Sequence, residues 1–109
     1  MTELRRETTA SIGEWASQTF GDAGSNARVV ARANEEMAEL LRAATSDQPV
    51  EQLGVEAADV VIILARLCFR NGMDLWDEVE KKMAINRGRV WKRDGTGHGY
   101  HVRDKEAAL

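Results

Sequence analysis

The sequence predicts an all-α fold, and three observations carry the prediction. Apolar residues recur at three- and four-residue intervals through most of the chain. The one proline, Pro49, stands between two such stretches and not inside either. The most apolar run, Ala57 to Ala65, belongs to a pattern of about twenty residues, too long for a strand of the usual 4 to 8. With 109 residues the chain is expected to form a single domain, 1–109, with a helical core over about 12–91 and a glycine-rich, irregular tail over 92–109.

The elements follow in order. Ile12, Trp15, Ala16, Thr19 and Phe20 make a short amphipathic helix that stops near Gly21. The loop Gly21 to Ser25 supplies capping residues for a long second helix, about Asn26 to Ala44, with Val29, Val30, Ala33, Met37, Leu40 and Leu41 at helical spacing. Thr45 to Gln48 is a turn, and Pro49 suits the first position of a third helix, about Val50 to Asn71, with Gly72 as its stop. Val60 to Leu64 and Leu67 cover every side of that helix, so it is expected to be buried all round, which in so short a chain calls for a second subunit. Asp74 caps a fourth helix, Leu75 to about Trp91, with Asp77 and Glu78 in the first turn, where the helix dipole favours them.

Composition narrows the function classes. The charge of -3 is too small to imply nucleic-acid binding, and the basic stretch Lys81 to Arg93 lacks the interleaved aromatics of a stacking platform. One cysteine, Cys68, excludes an internal disulfide and a cysteine-based metal cluster; between Leu67 and Phe69 it reads as a small buried hydrophobe. No stretch matches a membrane span or the apolar part of a signal peptide, so a cytoplasmic protein is expected. His98 and His101 in the tail read as surface residues sooner than as metal ligands. Gly95, Gly97 and Gly99 follow no strand and precede no helix, unlike a dinucleotide fingerprint.

The carboxylates are the chemical signal. Asp59 lies in an apolar run, where an ionised carboxylate costs several kcal/mol unless it is paired, hydrogen-bonded or metal-bound. Glu56 shares its helix face, and Glu36 and Glu39, with Glu35 alongside, share a face of the preceding helix. The connection from Leu40 to Val55 lets the two helices run antiparallel, so the two acidic faces can meet. A site of oxygens alone suits Mg²⁺ or Mn²⁺ and disfavours zinc. Taken singly, each acidic group also reads as a solvated helix face. Lys82, Asn86 and Arg89, at i, i+4 and i+7, would place two cations and an amide on one face of the fourth helix, suited to phosphate oxygens.

Glu35-Glu36-x-x-Glu39 followed by Glu56-x-x-Asp59, with Lys82, Asn86 and Arg89 beyond, resembles the signature of the MazG-like all-α nucleoside triphosphate pyrophosphohydrolases over roughly Ile12 to Trp91. The resemblance implies a four-helix fold completed by homo-oligomerisation, as a dimer or a dimer of dimers. It implies Mg²⁺-dependent cleavage of a (deoxy)nucleoside triphosphate to the monophosphate and diphosphate, with two or more Mg²⁺ per site and Mn²⁺ as a substitute. Glu36, Glu39, Glu56 and Asp59 would be the metal ligands, and Glu35 an outer ligand or the base. Lys82, Asn86 and Arg89 would hold phosphate. The base pocket would draw on Ile12, Trp15, Phe20 and Asn34, although a tryptophan at helical spacing from Ile12 and Thr19 is more often a core residue. The tail is similar to those of members associated with deoxypurine triphosphates; whether it closes over the active site of a neighbouring subunit is left open by the sequence. Two other readings stand beside this one: a phosphoribosyl-ATP pyrophosphohydrolase-like enzyme, and a non-catalytic helical oligomer that binds nucleotides or a protein. Neither a membrane nor a nucleic acid is expected as partner.

Overall fold

The computed structural model describes residues 7–103, which form four helices and a two-stranded hairpin. They divide into two compact units at Asp77 and Glu78. The first holds α1 (Thr9–Phe20), α2 (Asn26–Thr45), α3 (Glu51–Arg70) and the start of α4 (Leu75–Arg87). Among the described residues no helix is long and apolar enough to cross a membrane.

Local chemistry sets each helix end. Thr8 and Ser11 form a reciprocal capping box at the start of α1, and Ser25 accepts from the Arg28 N–H at the start of α2. Asp74 Oδ1 accepts from the N–H groups of Trp76 and Asp77, as its position predicts. The start of α3 differs from expectation: Pro49 lies ahead of the helix, in a turn whose carbonyl accepts from Gln52, and no side chain caps the end. At its other end Gly72, at φ 72°, lets Gly72 N–H reach the Phe69 carbonyl and Met73 N–H reach that of Cys68, closing a Schellman motif.

α3 packs against both α1 and α2. The contacts are close because the facing residues are small: Ala16, Val29, Ala33, Ala43 and Ala65 are the buried apolar residues, and no large side chain among the described residues is fully buried. Gly13 belongs to the same seam. A Cβ there would fall on the Phe69 side chain of α3.

A polar clamp fixes the register of α2 against α3. Asn26 Oδ1 accepts from Asn71 Nδ2 at 2.8 Å and from Arg70, and Asn26 Nδ2 donates to Asn71 Oδ1 at 3.2 Å. Arg70 also reaches Asp22 at 3.4 Å. The Gly24 N–H first, and then Arg70, hold the Asp22 carboxyl below its ordinary value of 3.8.

The third helix, expected to be buried all round with the help of a second subunit, is partly covered within one chain, chiefly by α1 and α2: Val60, Val61, Ile63 and Leu64 are half-buried and Ile62 is 36% exposed. One expectation needs correction here. The fourth helix does not reach Trp91; it ends at Arg87, before Gly88.

The second unit also corrects the irregular tail. Val90–Arg93 (β1) pairs antiparallel with Gly99–Val102 (β2), with Trp91 opposite His101 and Lys92 opposite Tyr100. Asp94 holds the turn by accepting from the Thr96 hydroxyl and N–H, and these bonds lower its pKa. Gly95 and Gly97 supply positive φ, and a Cβ at Gly99 would strike the Lys92 carbonyl. Trp91 Nε1 donates to the Asn86 carbonyl at 2.8 Å and so ties β1 to the end of α4. The last residues of the expected tail, 104–109, lie outside the described residues.

Gly13→Ala is expected to lose about 1 to 3 kcal/mol by overpacking the α1–α3 seam, read as a lower denaturation midpoint. Asp22, with its folded pKa depressed, stabilises the fold above its unfolded pKa, and that contribution fades as pH falls through the folded value. The Tm deficit of Asp22→Asn against the parent should therefore be largest near neutrality and shrink below about pH 4.

Candidate metal and nucleotide site

The clamp at Asn26 and Asn71 brings Glu36 of α2 opposite Asp59 of α3, each about three turns along its helix from that end. Glu56, one turn from Asp59, shares its face. Glu36, Glu56 and Asp59 each present a carboxylate oxygen within 4.8 Å of the others, and all three residues are half-buried. Among the described residues this is the one such convergence of potential metal ligands. Three carboxylates so close repel one another, and the repulsion is strengthened by partial removal from water. Oxygens on opposite sides of one Mg²⁺ or Mn²⁺ lie about 4 to 5 Å apart, so the donor set and its spread fit a hard divalent ion.

Glu39 and Glu35 stand at the edge of this group. Both line a cleft of about 480 Å³ with Arg32, Glu36 and Glu56. Glu39 is exposed and pairs with Arg42 at 3.1 Å. That is an exposed pair of a kind worth at most about 1 kcal/mol, so Glu39 can leave it at small cost. Glu35 is exposed and bound to Arg32. Of the four expected metal ligands, then, three converge and the fourth lies in the same cleft engaged elsewhere.

Arg32 was not singled out by the sequence reading, although it lies three and four residues before Glu35 and Glu36 and so on their face. Its Nη2 meets Glu36 at 2.9 Å while Nη1 holds Glu35. The Glu35 hydrogen bond first, then the Glu36 charge, and more weakly that of Asp59, raise the Arg32 pKa above its ordinary value.

A second cavity, also about 480 Å³, adjoins the carboxylates and has Arg32, Glu36 and Asp59 in its wall. Its remaining wall is largely apolar and aromatic. Trp15 and Phe20 meet edge to face at 5.4 Å, and the Arg66 guanidinium lies 5.7 Å over the Phe20 ring while donating to the Gly21 carbonyl. Arg28 adds a further cation to the wall. The cavity is therefore amphipathic, with planar rings in one part of the wall and carboxylates in another. Trp15 and Phe20 line it as expected; Ile12, half-buried, and Asn34, exposed, do not.

The expected phosphate-binding residues lie in the second unit. Lys82 is exposed on α4, and Asn86 is half-buried with its Oδ1 lacking a hydrogen-bond partner among the described residues. Arg89 falls beyond the end of α4, its N–H bonded to the Asn86 carbonyl. The three do not continue one helical face, because the helix stops before Gly88. His98 and His101 belong to the hairpin region, and His101 lies edge-on to Trp91 at 6.0 Å.

No family model matches the chain. Among curated proteins it is 30% identical over 96 residues to a dATP/dGTP diphosphohydrolase of Cyanophage S-2L, covering 88% of this chain and 86% of that protein. It is also 37% identical over 93 residues to a dATP/dGTP diphosphohydrolase of Salmonella phage PMBT28, which covers 85% of this chain and 30% of that longer protein. Among solved structures, the Cyanophage S-2L MazG-like pyrophosphohydrolase, bound to dGDP and three catalytic Mn²⁺ ions per active site, superposes with a TM-score of 0.70 at 30% identity. The match covers 87% of this chain and 89% of the cyanophage one. The chain belongs to the family of MazG-like nucleoside triphosphate pyrophosphohydrolases.

Proposed function

We propose that the protein hydrolyses deoxynucleoside triphosphates at the α–β phosphoanhydride, giving the monophosphate and diphosphate, with deoxypurine triphosphates as its preferred substrates. The observation that carries the reading is the convergence of Glu36, Glu56 and Asp59 beside a cavity partly walled by Trp15 and Phe20. A nucleotide has the same two characters, a planar base and a phosphate chain that travels with divalent cations. The names of both phage relatives support the purine preference and favour it over a phosphoribosyl-ATP substrate.

In this proposal Glu36, Glu39, Glu56 and Asp59 hold Mg²⁺, or Mn²⁺ in its place, as two or more ions. When bound, such ions supply the Lewis acidity that activates water and offsets charge on the phosphate oxygens. The chain's own residues do the rest. Asp59 and Glu56 fix the deep side of the site from α3, and Glu39 gives up its exposed partner Arg42 to complete the α2 side. Glu35, at the rim, orients the attacking water and takes its proton. Trp15 and Phe20 contact the base. Lys82, Asn86 and Arg89 bind phosphate oxygens.

We further propose that the working form is a homo-oligomer, a dimer or a dimer of dimers. Its support is the apolar surface that one chain leaves open, including Met37 and Leu41 on α2 and Val55 on α3.

Incubation with each dNTP and NTP in Mg²⁺ or Mn²⁺ should release diphosphate and the monophosphate, fastest from dATP and dGTP, and EDTA should abolish the reaction. Release of orthophosphate, or no turnover on any of them, would overturn the assignment. Asp59→Asn and Glu39→Gln should each keep the helical circular dichroism of the parent and lose roughly 100-fold or more in turnover. Size-exclusion chromatography with light scattering should give the mass of two or four chains; the mass of one chain would exclude the oligomer.

A further inference from the structure

Arg32 is placed where the two cavities meet, and it is half of a competition. It lines both the carboxylate cleft and the aromatic cavity, and of the carboxylates only Glu36 does the same. The Glu36 side chain is 14% exposed, so much of its charge is withdrawn from water, and the cation it has found is Arg32 at 2.9 Å. The same guanidinium spans to Glu35. A fork that bridges two carboxylates beside a group of three offsets part of their mutual repulsion. It also uses the oxygens of Glu36 that a divalent ion needs.

We propose that Arg32 is the resident counter-cation of the carboxylate group, that it yields Glu36 when a divalent ion binds, and that the released guanidinium then grips the substrate's phosphate chain. The second half rests on the nucleotide reading given above; the first rests on the carboxylate geometry alone. The exchange follows from charge and reach. A guanidinium and a divalent cation a few ångström apart repel, and the divalent ion, with twice the charge, is the stronger competitor for Glu36. Arg32 is 60% exposed and anchored only through its own helix, so its side chain is free to turn away from Glu36. The junction it already lines is where a phosphate chain must pass between the aromatic wall and the carboxylates. Its planar fork matches two phosphate oxygens. Protein-held cation and metal ion thus succeed each other on Glu36.

The test separates the two halves. Mn²⁺ binding, measured by calorimetry or by the loss of free-ion electron paramagnetic resonance signal without any nucleotide, compares the parent with Arg32→Gln and Arg32→Lys. Arg32→Gln should bind Mn²⁺ roughly twofold to fivefold more tightly, since the cation competing for Glu36 has gone. Its metal-free Tm should fall, and Arg32→Lys should lie between it and the parent in both measurements. Unchanged or weaker Mn²⁺ binding by Arg32→Gln overturns the counter-cation role. At saturating Mn²⁺, a non-hydrolysable α,β-methylene dGTP should bind Arg32→Gln about tenfold or more weakly, a loss of the size expected for a charge-assisted hydrogen bond, and unchanged affinity overturns the phosphate role. A parent that binds neither Mn²⁺ nor the analogue refutes the proposed function itself, and is told apart because the three proteins would then behave alike.

Discussion

The antiparallel pairing of α2 with α3 is the constraint on which the rest depends. Small residues let the two helices approach, with Val29 and Ala33 buried on α2 and Ala65 on α3. Close approach alone would allow them to slide by a turn. The Asn26–Asn71 amide pair prevents this, because each amide both gives and accepts a bond, and Arg70 adds a charged donor to the same acceptor. A slip of one turn, about 5.4 Å, would separate Glu36 from Asp59 by more than the reach of one ion. The polar clamp at one end of the hairpin thus sets the geometry of the carboxylates in its middle.

That geometry works against the fold that holds it. Bringing Glu36, Glu56 and Asp59 within 4.8 Å costs electrostatic energy in the absence of a cation, and the surrounding packing must absorb the cost. The packing is modest, since the buried apolar residues are mostly alanines. Capping does its share: Thr8, Ser25 and Asp74 each satisfy helix N–H groups, and Gly72 closes the end of α3. Arg32 does another share by neutralising the α2 side of the group. The ends of the helices and one arginine therefore help to sustain a centre that chemistry, not stability, requires.

The sequence made the helices and the carboxylates legible for the same reason: both depend on spacing within a single element. Helical periodicity located α2 and α3 to within a residue or two of their observed ends, and the intervals between Glu35, Glu36 and Glu39 and between Glu56 and Asp59 fixed their faces. What failed depended on other kinds of information. Gly88, a stop signal visible in the sequence, follows the end of α4 at Arg87, short of the expected Trp91. The hairpin escaped because its strands are short, mostly exposed and lack apolar alternation, and because its turn rests on Asp94 and Thr96 more than on the glycines alone. Arg32 carries no signal of its own in the sequence, because a cation three and four residues before an acid is ordinary on a solvated helix face. Ile12 and Asn34 were assigned to the base pocket by family likeness without a face being specified, and they lie outside the cavity wall.

Asp59 shows how far one chain completes its own site. The apolar run around it suggested a carboxylate buried on all sides, yet in a single chain Asp59 is half-buried and its neighbour Ile62 is 36% exposed. Within the first unit α3 packs chiefly against α1 and α2, Ile62 lines the cavity beside Asp59, and Val55 and Ala58 stay exposed. A surface that covered Val55 and Ala58 would remove further water from the helix that carries Glu56 and Asp59. Removal of water strengthens each charge interaction, so the same carboxylates would repel more without a cation and attract one more strongly with it. If that surface is a second chain, as proposed, oligomerisation and metal binding share one energetic term, and each favours the other. The apolar run is then more than packing: its open side links the assembly of the protein to the affinity of its carboxylates for cations.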